Sequence, residues 1–132
     1  MPQSETQLTP HFKMAELRCK CGCNQAPMDQ AFMAKLEDLR LSMNQPLVIS
    51  SGYRCPAHNA AVSHTGEAGP HTSGCAADIA ISGPDAHRLL LLAMHIGFSG
   101  IGVGQRGATA GRFIHLDDLP STTHPRPRVW SY

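Results

Sequence analysis

Residues 76–103 read AADIAISGPDAHRLLLLAMHIGFSGIGV, and this stretch predicts a strand, a helix and a second strand in succession. The run 76–81 predicts a buried strand of small and branched apolar residues. A Gly-Pro-Asp sequence then starts a helix over 85–96, whose apolar residues recur on one inner face. Gly97 fits the C-terminal cap of that helix, and 101–103 predicts the next strand.

The segments on either side extend this alternation of helices and strands. Asp29 is placed to cap a helix with apolar residues at 3/4 spacing, and Gln45-Pro46 ends that helix. Further strands are predicted over 47–49 and 112–116, and Pro56 starts a helix through about Val62. Short strands and helices in mixed order predict an α+β fold with a central, mainly antiparallel sheet flanked by helices.

Length and composition favour one globular domain. A chain of 132 residues is long enough to bury its own core, and 42% hydrophobic with 16% charged residues excludes a disordered protein. We expect a single domain over 1–132, with 1–18 as a lead-in and the core at about 28–130. The Gly-rich segments 63–75 and 104–111 are predicted to be a surface loop and a hairpin loop.

Charge and hydropathy narrow the choice of partners. Eleven basic against ten acidic residues give a net charge of +1, which gives no reason to expect nucleic acid or an anionic membrane. No apolar run approaches the roughly 18 residues of a membrane span. The first residues lack the basic and apolar regions of a secretory signal. We therefore expect a monomer made in the cytoplasm, without stable membrane association.

The five cysteines leave three alternatives open. Cys19, Cys21 and Cys23 form a dense cluster, and Cys55 and Cys75 lie farther along the chain. An odd number leaves at least one thiol unpaired in a monomer. The cluster is compatible with reduced thiols, with a disulfide to Cys55, or with a second metal that recruits Cys55 or a histidine as a fourth ligand.

Eight histidines are the unusual feature of the composition, and two of them suggest a metal site. His71 ends a Gly/Pro loop, Asp78 lies in the strand that follows, and His115 lies in a separate strand. Two histidines and one carboxylate are a catalytic zinc set with an open position for water. From spacing alone, each histidine is equally compatible with a hydrogen-bonded core or surface role, and Asp78 with pairing to a helix N-terminus.

Four segments in this order resemble the M15 family of zinc peptidases: SGYRCPAHN (51–59), GPHTSGCAADI (69–79), GFSGIGVG (97–104) and RFIHLDDL (112–119). The resemblance covers about residues 11–130. It implies the Hedgehog/DD-peptidase fold. The family includes D-Ala-D-Ala carboxypeptidases, dipeptidases and phage endolysins that cut the L-Ala–D-Glu bond of peptidoglycan.

The resemblance also implies site residues. Its H-x6-D motif gives His71 and Asp78, and its later strand histidine gives His115, as ligands of one catalytic Zn²⁺. The arginine of SGYR gives Arg54 as a cation that contacts substrate, either at a peptide carboxylate or at the developing oxyanion. The alternative for Arg54 is a surface salt bridge.

The general base departs from the family pattern. Many members carry Asp or Glu three residues before the last ligand, where this chain has Arg112. Asp117 points to the same side of its strand as His115, and serves either as the base or as a partner that holds the imidazole. Weaker candidates for the base are Asp118, Glu67, His64 and His124. Trp130 is expected to close the core rather than to form a wall of the cleft.

Together these features predict a zinc-dependent peptidoglycan peptidase that hydrolyses stem peptides. An endolysin-like L-Ala–D-Glu endopeptidase is the first expectation, acting in the periplasm or cell wall after release from the cytoplasm through a holin. One alternative is a D-Ala-D-Ala carboxypeptidase. The other is a non-catalytic, zinc-bearing wall-binding or virion module, which the missing carboxylate at Arg112 favours.

Overall fold

A computed structural model describes residues 6–132 of the chain, and a five-stranded sheet lies at its centre. The strands are β1 (Gln7–Thr9), β2 (Phe12–Lys13), β3 (Val48–Ser51), β4 (Ala76–Ala80), β5 (Gly100–Gly104), β6 (Phe113–Asp117) and β7 (Arg128–Ser131). The large sheet has the order β3-β4-β6-β5-β7, and every neighbouring pair is antiparallel except β5 with β7. The predicted α+β fold with a mainly antiparallel sheet is confirmed.

Within the same residues, four helices accompany the sheet. They are α1 (Met14–Leu17), α2 (Gln30–Met43), α3 (Pro56–Val62) and α4 (Gly83–Ile96). Asp29 caps α2 as predicted, because its carboxylate accepts a hydrogen bond from the Phe32 N–H at 2.9 Å. Gly97 ends α4 at a φ of 99°, which a residue without a Cβ adopts freely. None of these helices is long and apolar enough to cross a bilayer.

The hydrophobic core joins α2 and α4 to one face of the sheet. On β4 and β6 the alternating residues Ala77, Ile79, Ile114 and Leu116 are fully buried in this core. Since side chains alternate along a strand, the intervening residues face the other side of the sheet. The polar residues of β4 and β6 are therefore gathered on the face that the helices leave open.

That open face is kept clear by glycines at every second position of β5. Gly102 is paired on one side with His115 and on the other with Trp130. A Cβ on Gly102 would lie 2.8 Å from the indole nitrogen of Trp130 and from the hydroxyl of Tyr132. Only glycine allows these larger side chains to cross the strand, so the Gly-x-Gly alternation makes room for the site.

Two features of the fold were not expected from the sequence. Strand β7 extends the sheet beside β5. Residues 7–13 form the β1–β2 hairpin, within the segment that was predicted to be a lead-in. Residues 1–5 of that lead-in lie outside the described part of the chain. The hairpin is attached to α2, because Glu37 accepts hydrogen bonds from the Thr9 hydroxyl at 2.7 Å and the His11 N–H at 2.9 Å. Residues 7–13 thus belong to the folded unit.

Candidate metal centre and its cleft

Three side chains from separate elements meet on the open face of the sheet. Asp78 on β4 and His115 on β6 are directly paired, and His71 lies in the 3₁₀ turn 70–72 just before β4. One oxygen of Asp78 lies 3.2 Å from Nε2 of His71 and 2.9 Å from Nδ1 of His115. The ligand atoms of all three lie within 4.8 Å of one another. The structure therefore brings together the whole predicted ligand set.

In each imidazole, the nitrogen that faces away from Asp78 has a hydrogen-bond partner of its own. Nδ1 of His71 donates to the backbone carbonyl of Gly52 at 2.7 Å, since a carbonyl oxygen only accepts. Nε2 of His115 lies 2.8 Å from a carboxylate oxygen of Asp117. When the outer nitrogens carry the ring protons, as metal binding requires, the remaining lone pair of each ring faces Asp78. This is the arrangement that orients histidine ligands at metal centres.

The donor set fits a divalent cation. Two imidazole lone pairs and a carboxylate oxygen converge on one point, and acceptors brought this close repel one another unless a positive charge lies between them. Nitrogen and oxygen donors in this ratio suit Zn²⁺ in an open, three-ligand site. The residues present are therefore compatible with the metal that the motif implies.

The pKa directions of these groups agree with a site built to hold positive charge. Burial alone raises the pKa of Asp78, but hydrogen bonds from His115 and His71 outweigh it and hold that pKa well below its usual range. Burial alone lowers the pKa of His115, but the carboxylates of Asp117 and Asp78 outweigh it and raise that pKa above 6.5. The carboxylates around the two rings thus favour positive charge at this point.

Asp117 is enclosed behind His115 and does not open into the cleft. Its side chain is 0% exposed and is bound twice by Arg126, through Nε at 2.9 Å and Nη2 at 2.8 Å. Burial raises the pKa of Asp117, but hydrogen bonds from His115 and Arg126 outweigh it and lower the pKa. Of the two roles considered for Asp117, this environment suits the partner that holds the imidazole better than the base.

Arg54 follows β3 and reaches the same centre from the side. One of its terminal nitrogens lies 3.7 Å from the second oxygen of Asp78. Its Nε donates to the Ser51 hydroxyl and its Nη1 to the side-chain oxygen of Asn59, each at 3.1 Å. The side chain is only 18% exposed. Arg54 is thus fixed at the edge of the centre and is not engaged in a surface salt bridge.

Asn59 is a residue whose role the sequence analysis missed. It is 1% exposed, and its amide donates to the Thr65 hydroxyl at 2.8 Å and the Gly66 carbonyl at 2.6 Å. These bonds orient its oxygen toward Arg54. The sequence offered one signal, because Asn59 ends the SGYRCPAHN segment five residues after Arg54.

The centre lies in a cleft of about 710 Å³. Trp130 lines this cleft, with its ring centroid 5.2 Å from that of His115 and the Arg126 guanidinium carbon 5.0 Å from the indole centroid. The expectation that Trp130 closes the core was wrong. Strand β7 pairs in parallel with β5, and this register puts Trp130 on the open face of the sheet.

The candidates for a general base are separated by their positions. His64 and His124 line the cleft. Asp118 instead pairs with Lys35 at 3.0 Å, and neither it nor Glu67 is part of the lining. Arg112, at the position where the resemblance led us to look for a carboxylate, also lies outside the lining and donates to the Gly107 carbonyl. Among the described residues that line the cleft, Asp78 is the only carboxylate.

The sequence was also compared with known proteins. A family model described as Peptidase M15 matches residues 10–117 of the chain. The matched range contains the three candidate ligands and Arg54, whereas β7 with Trp130 lies beyond it. No curated protein matches the chain.

Proposed function

The chain belongs to the M15 peptidases, and on that premise we propose that it is a zinc-dependent peptidase that hydrolyses the stem peptides of peptidoglycan. The observation that carries the proposal is the convergence of His71, Asp78 and His115 in a cleft of about 710 Å³. A peptidase of this kind needs a metal centre that is open to a peptide, and the position of this candidate ligand set in the cleft supports such a centre.

His71, Asp78 and His115 would hold one Zn²⁺. When bound there, the metal supplies a Lewis acid that polarises the scissile carbonyl and makes a bound water acidic. The chain contributes the orientation of the ligands. Gly52 and Asp117 fix the two imidazoles from behind, so that the ligand atoms stay directed at one point as the substrate enters.

Arg54 would bind the negative charge next to the reacting bond. In an L-Ala–D-Glu bond the D-Glu residue carries a free α-carboxylate, and a D-Ala-D-Ala peptide ends in one. In both cases a carboxylate follows the scissile amide directly. The guanidinium of Arg54, held by Ser51 and Asn59, presents a rigid set of donors for that carboxylate or for the developing oxyanion.

We propose that a histidine of the cleft carries out the proton transfer. Asp117 is bound by His115 and Arg126 and has no face toward a substrate. His64 and His124 line the cleft, and an imidazole has one nitrogen that accepts a proton and one that donates it. We assign to one of these two histidines the removal of a proton from the attacking water and its delivery to the leaving amine.

We propose the L-Ala–D-Glu bond as the first choice of substrate. Arg54 is joined at the cleft by Arg128, which is exposed and lies 5.6 Å from the Trp130 ring centroid. Two such cations suit the acidic middle of a stem peptide, where several carboxylates follow one another. On this proposal the protein acts in the periplasm or cell wall, after release from the cytoplasm through a holin.

The deciding experiment is turnover of purified muropeptides followed by mass analysis of the products. Release of L-Ala-bearing fragments supports the endopeptidase, and loss of a terminal D-Ala supports a D-Ala-D-Ala carboxypeptidase instead. The His71→Ala, His115→Ala double variant is the control for contaminating activity. Turnover that survives in this variant contradicts the proposed centre.

A non-catalytic wall-binding or virion module is the second candidate. The specific observation in its favour is Arg112, which stands where relatives carry a carboxylate and leaves the described cleft without a carboxylate besides Asp78. This candidate predicts binding to isolated cell walls with no new product from any muropeptide. Sedimentation with cell walls, run in parallel with the turnover assay, distinguishes it from a peptidase.

A further inference from the structure

A second cluster of metal-binding side chains lies apart from the histidine centre. The sulfur atoms of Cys19, Cys21, Cys23 and Cys55 lie within 4.8 Å of one another. Three of these cysteines lie in one loop after α1, and Cys55 lies at the start of α3. All of them are free thiols, as is Cys75, the one cysteine of the chain outside the cluster.

The distances between sulfurs match shared metal coordination better than a disulfide. The Cys19 and Cys21 sulfurs are 3.4 Å apart, and those of Cys21 and Cys55 are 3.6 Å apart. A disulfide joins sulfurs at about 2.05 Å. Four thiolates around Zn²⁺ at about 2.3 Å form a tetrahedron with edges of about 3.8 Å. A disulfide would also leave two thiols of the four without a role.

The loop backbone is shaped so that its three thiols lie close to one another. Gly22 has a φ of 95° and Asn24 a φ of 64°, both in the left-handed region that permits a tight reversal. The Cys19 N–H donates to the Gln25 carbonyl at 2.7 Å and closes the loop. The Cys55 N–H donates to the Cys19 sulfur at 3.4 Å, a contact that stabilises a thiolate.

The charges around the cluster also suit a tetrathiolate. Four thiolates and one Zn²⁺ carry a net charge of −2. Arg18 and Lys20 flank Cys19 in sequence, and both are exposed cations on the same loop. The guanidinium of Arg18 donates to the Asn24 side chain at 3.0 Å, which keeps it on the loop.

From these observations we propose that Cys19, Cys21, Cys23 and Cys55 form a closed structural site for a second Zn²⁺. Four protein ligands leave no open position, so the site has no catalytic role of its own. It is distinct from the His71–Asp78–His115 centre and does not depend on the proposed peptidase activity.

The site would tie the N-terminal loop to the turn that carries Arg54. The Tyr53 N–H donates to the Leu17 carbonyl at 2.7 Å, and a Cβ on Gly52 would lie 2.5 Å from that same oxygen. Cys55 follows Arg54 directly. A metal on Cys55 therefore anchors the backbone next to Arg54 and near the Gly52 carbonyl that orients His71.

The test uses the full chain, purified under reducing conditions, freed of metal with a chelator and titrated anaerobically with Co²⁺. We expect the thiolate-to-Co²⁺ charge-transfer bands of a tetrahedral site, which Zn²⁺ then removes. These bands arise only from sulfur ligands, so the histidine centre does not contribute. The His71→Ala, His115→Ala double variant should retain them, Cys55→Ser should weaken them together with the affinity for Co²⁺, and the matched control Cys75→Ala should keep them at full intensity.

Thiol protection in the unmodified chain tests the same proposal without relying on a variant that folds. With Zn²⁺ bound, four of the five thiols should resist alkylation, and a strong chelator should expose them. Two outcomes overturn the proposal. One is alkylation of the four thiols at the same rate with and without Zn²⁺. The other is a freshly purified chain whose mass is lower by about two hydrogens for each disulfide among the four.

Discussion

Asp117 and His115 lie two residues apart on β6 and face the same side of the sheet, with Oδ2 of Asp117 2.8 Å from Nε2 of His115. The carboxylate is buried at 0% exposure and is bound by Arg126 as well. This pair turns His115 so that its other nitrogen faces Asp78. The arrangement of the three candidate ligands therefore depends on a residue outside that set.

The first prediction concerns metal content at the histidine centre. The His71→Ala, His115→Ala double variant keeps the cysteine cluster and should contain one Zn²⁺ per chain fewer than the wild type, because a single remaining carboxylate ligand cannot hold it. Elemental analysis measures this difference. His58→Ala and His87→Ala, which change histidines outside the cleft lining, form the matched control. Wild-type zinc content in the double variant would contradict the ligand assignment.

The second prediction tests Asp117 as a positioning residue. Asp117→Asn keeps the size of the side chain but weakens its bonds to His115 and Arg126, so zinc affinity should fall by roughly 10–100-fold. Competition with a chromogenic chelator measures this. At saturating zinc the rate should recover most of its wild-type value. A large loss of rate with unchanged zinc affinity would identify Asp117 as the base instead.

The third prediction concerns Arg54. If the guanidinium stabilises charge in the transition state, Arg54→Ala should lower kcat by roughly 10²-fold or more on muropeptide substrate. If it only anchors a carboxylate in the ground state, the change should appear mainly in KM. Arg54→Lys should rescue poorly, because one ammonium cannot reach Ser51, Asn59 and the substrate together. Full activity of Arg54→Ala would remove Arg54 from the mechanism.

The fourth prediction concerns the cleft histidines. One of the variants His64→Ala and His124→Ala should lower kcat by roughly 10²–10⁴-fold, with zinc content unchanged, since neither residue belongs to the ligand set. His95→Ala, outside the cleft lining, is the control. The pH profile of the steady-state rate should also lose one of its two limbs in the affected variant. Wild-type rates in the double variant would exclude both imidazoles as the base.

The fifth prediction follows from the raised pKa of His115. Asp117 and Asp78 outweigh the effect of burial and raise this pKa above 6.5, so in the metal-free chain the protonated ring adds stability that is fully present below pH 6.5. That stability is lost as pH rises through the raised pKa. Zinc competes with the same proton, so the stabilisation by zinc should grow over this window. Melting temperatures with zinc and with a chelator, measured at a series of pH values, should diverge as pH rises.

Much of the fold could be predicted because its signals are local. The four predicted strands and three predicted helices lie within two residues of their observed bounds. Caps such as Asp29 and Gly97 act on their own helix, so the sequence around them is sufficient. Strand β7 was missed because its residues alternate only weakly, and its pairing with β5 is a contact between distant parts of the chain.

The candidate site likewise has features that could be predicted from the sequence and features that could not. The sequence by itself identified the candidate ligands of the centre, since the motifs contain His71, Asp78 and His115. Only the tertiary structure decided what surrounds them. Arg126 binds the carboxylate of Asp117, and Asn59 accepts a hydrogen bond from Arg54. Trp130 lines the cleft. Ligand type is a property of single residues, whereas orientation, burial and free access depend on which distant segments the sheet places side by side.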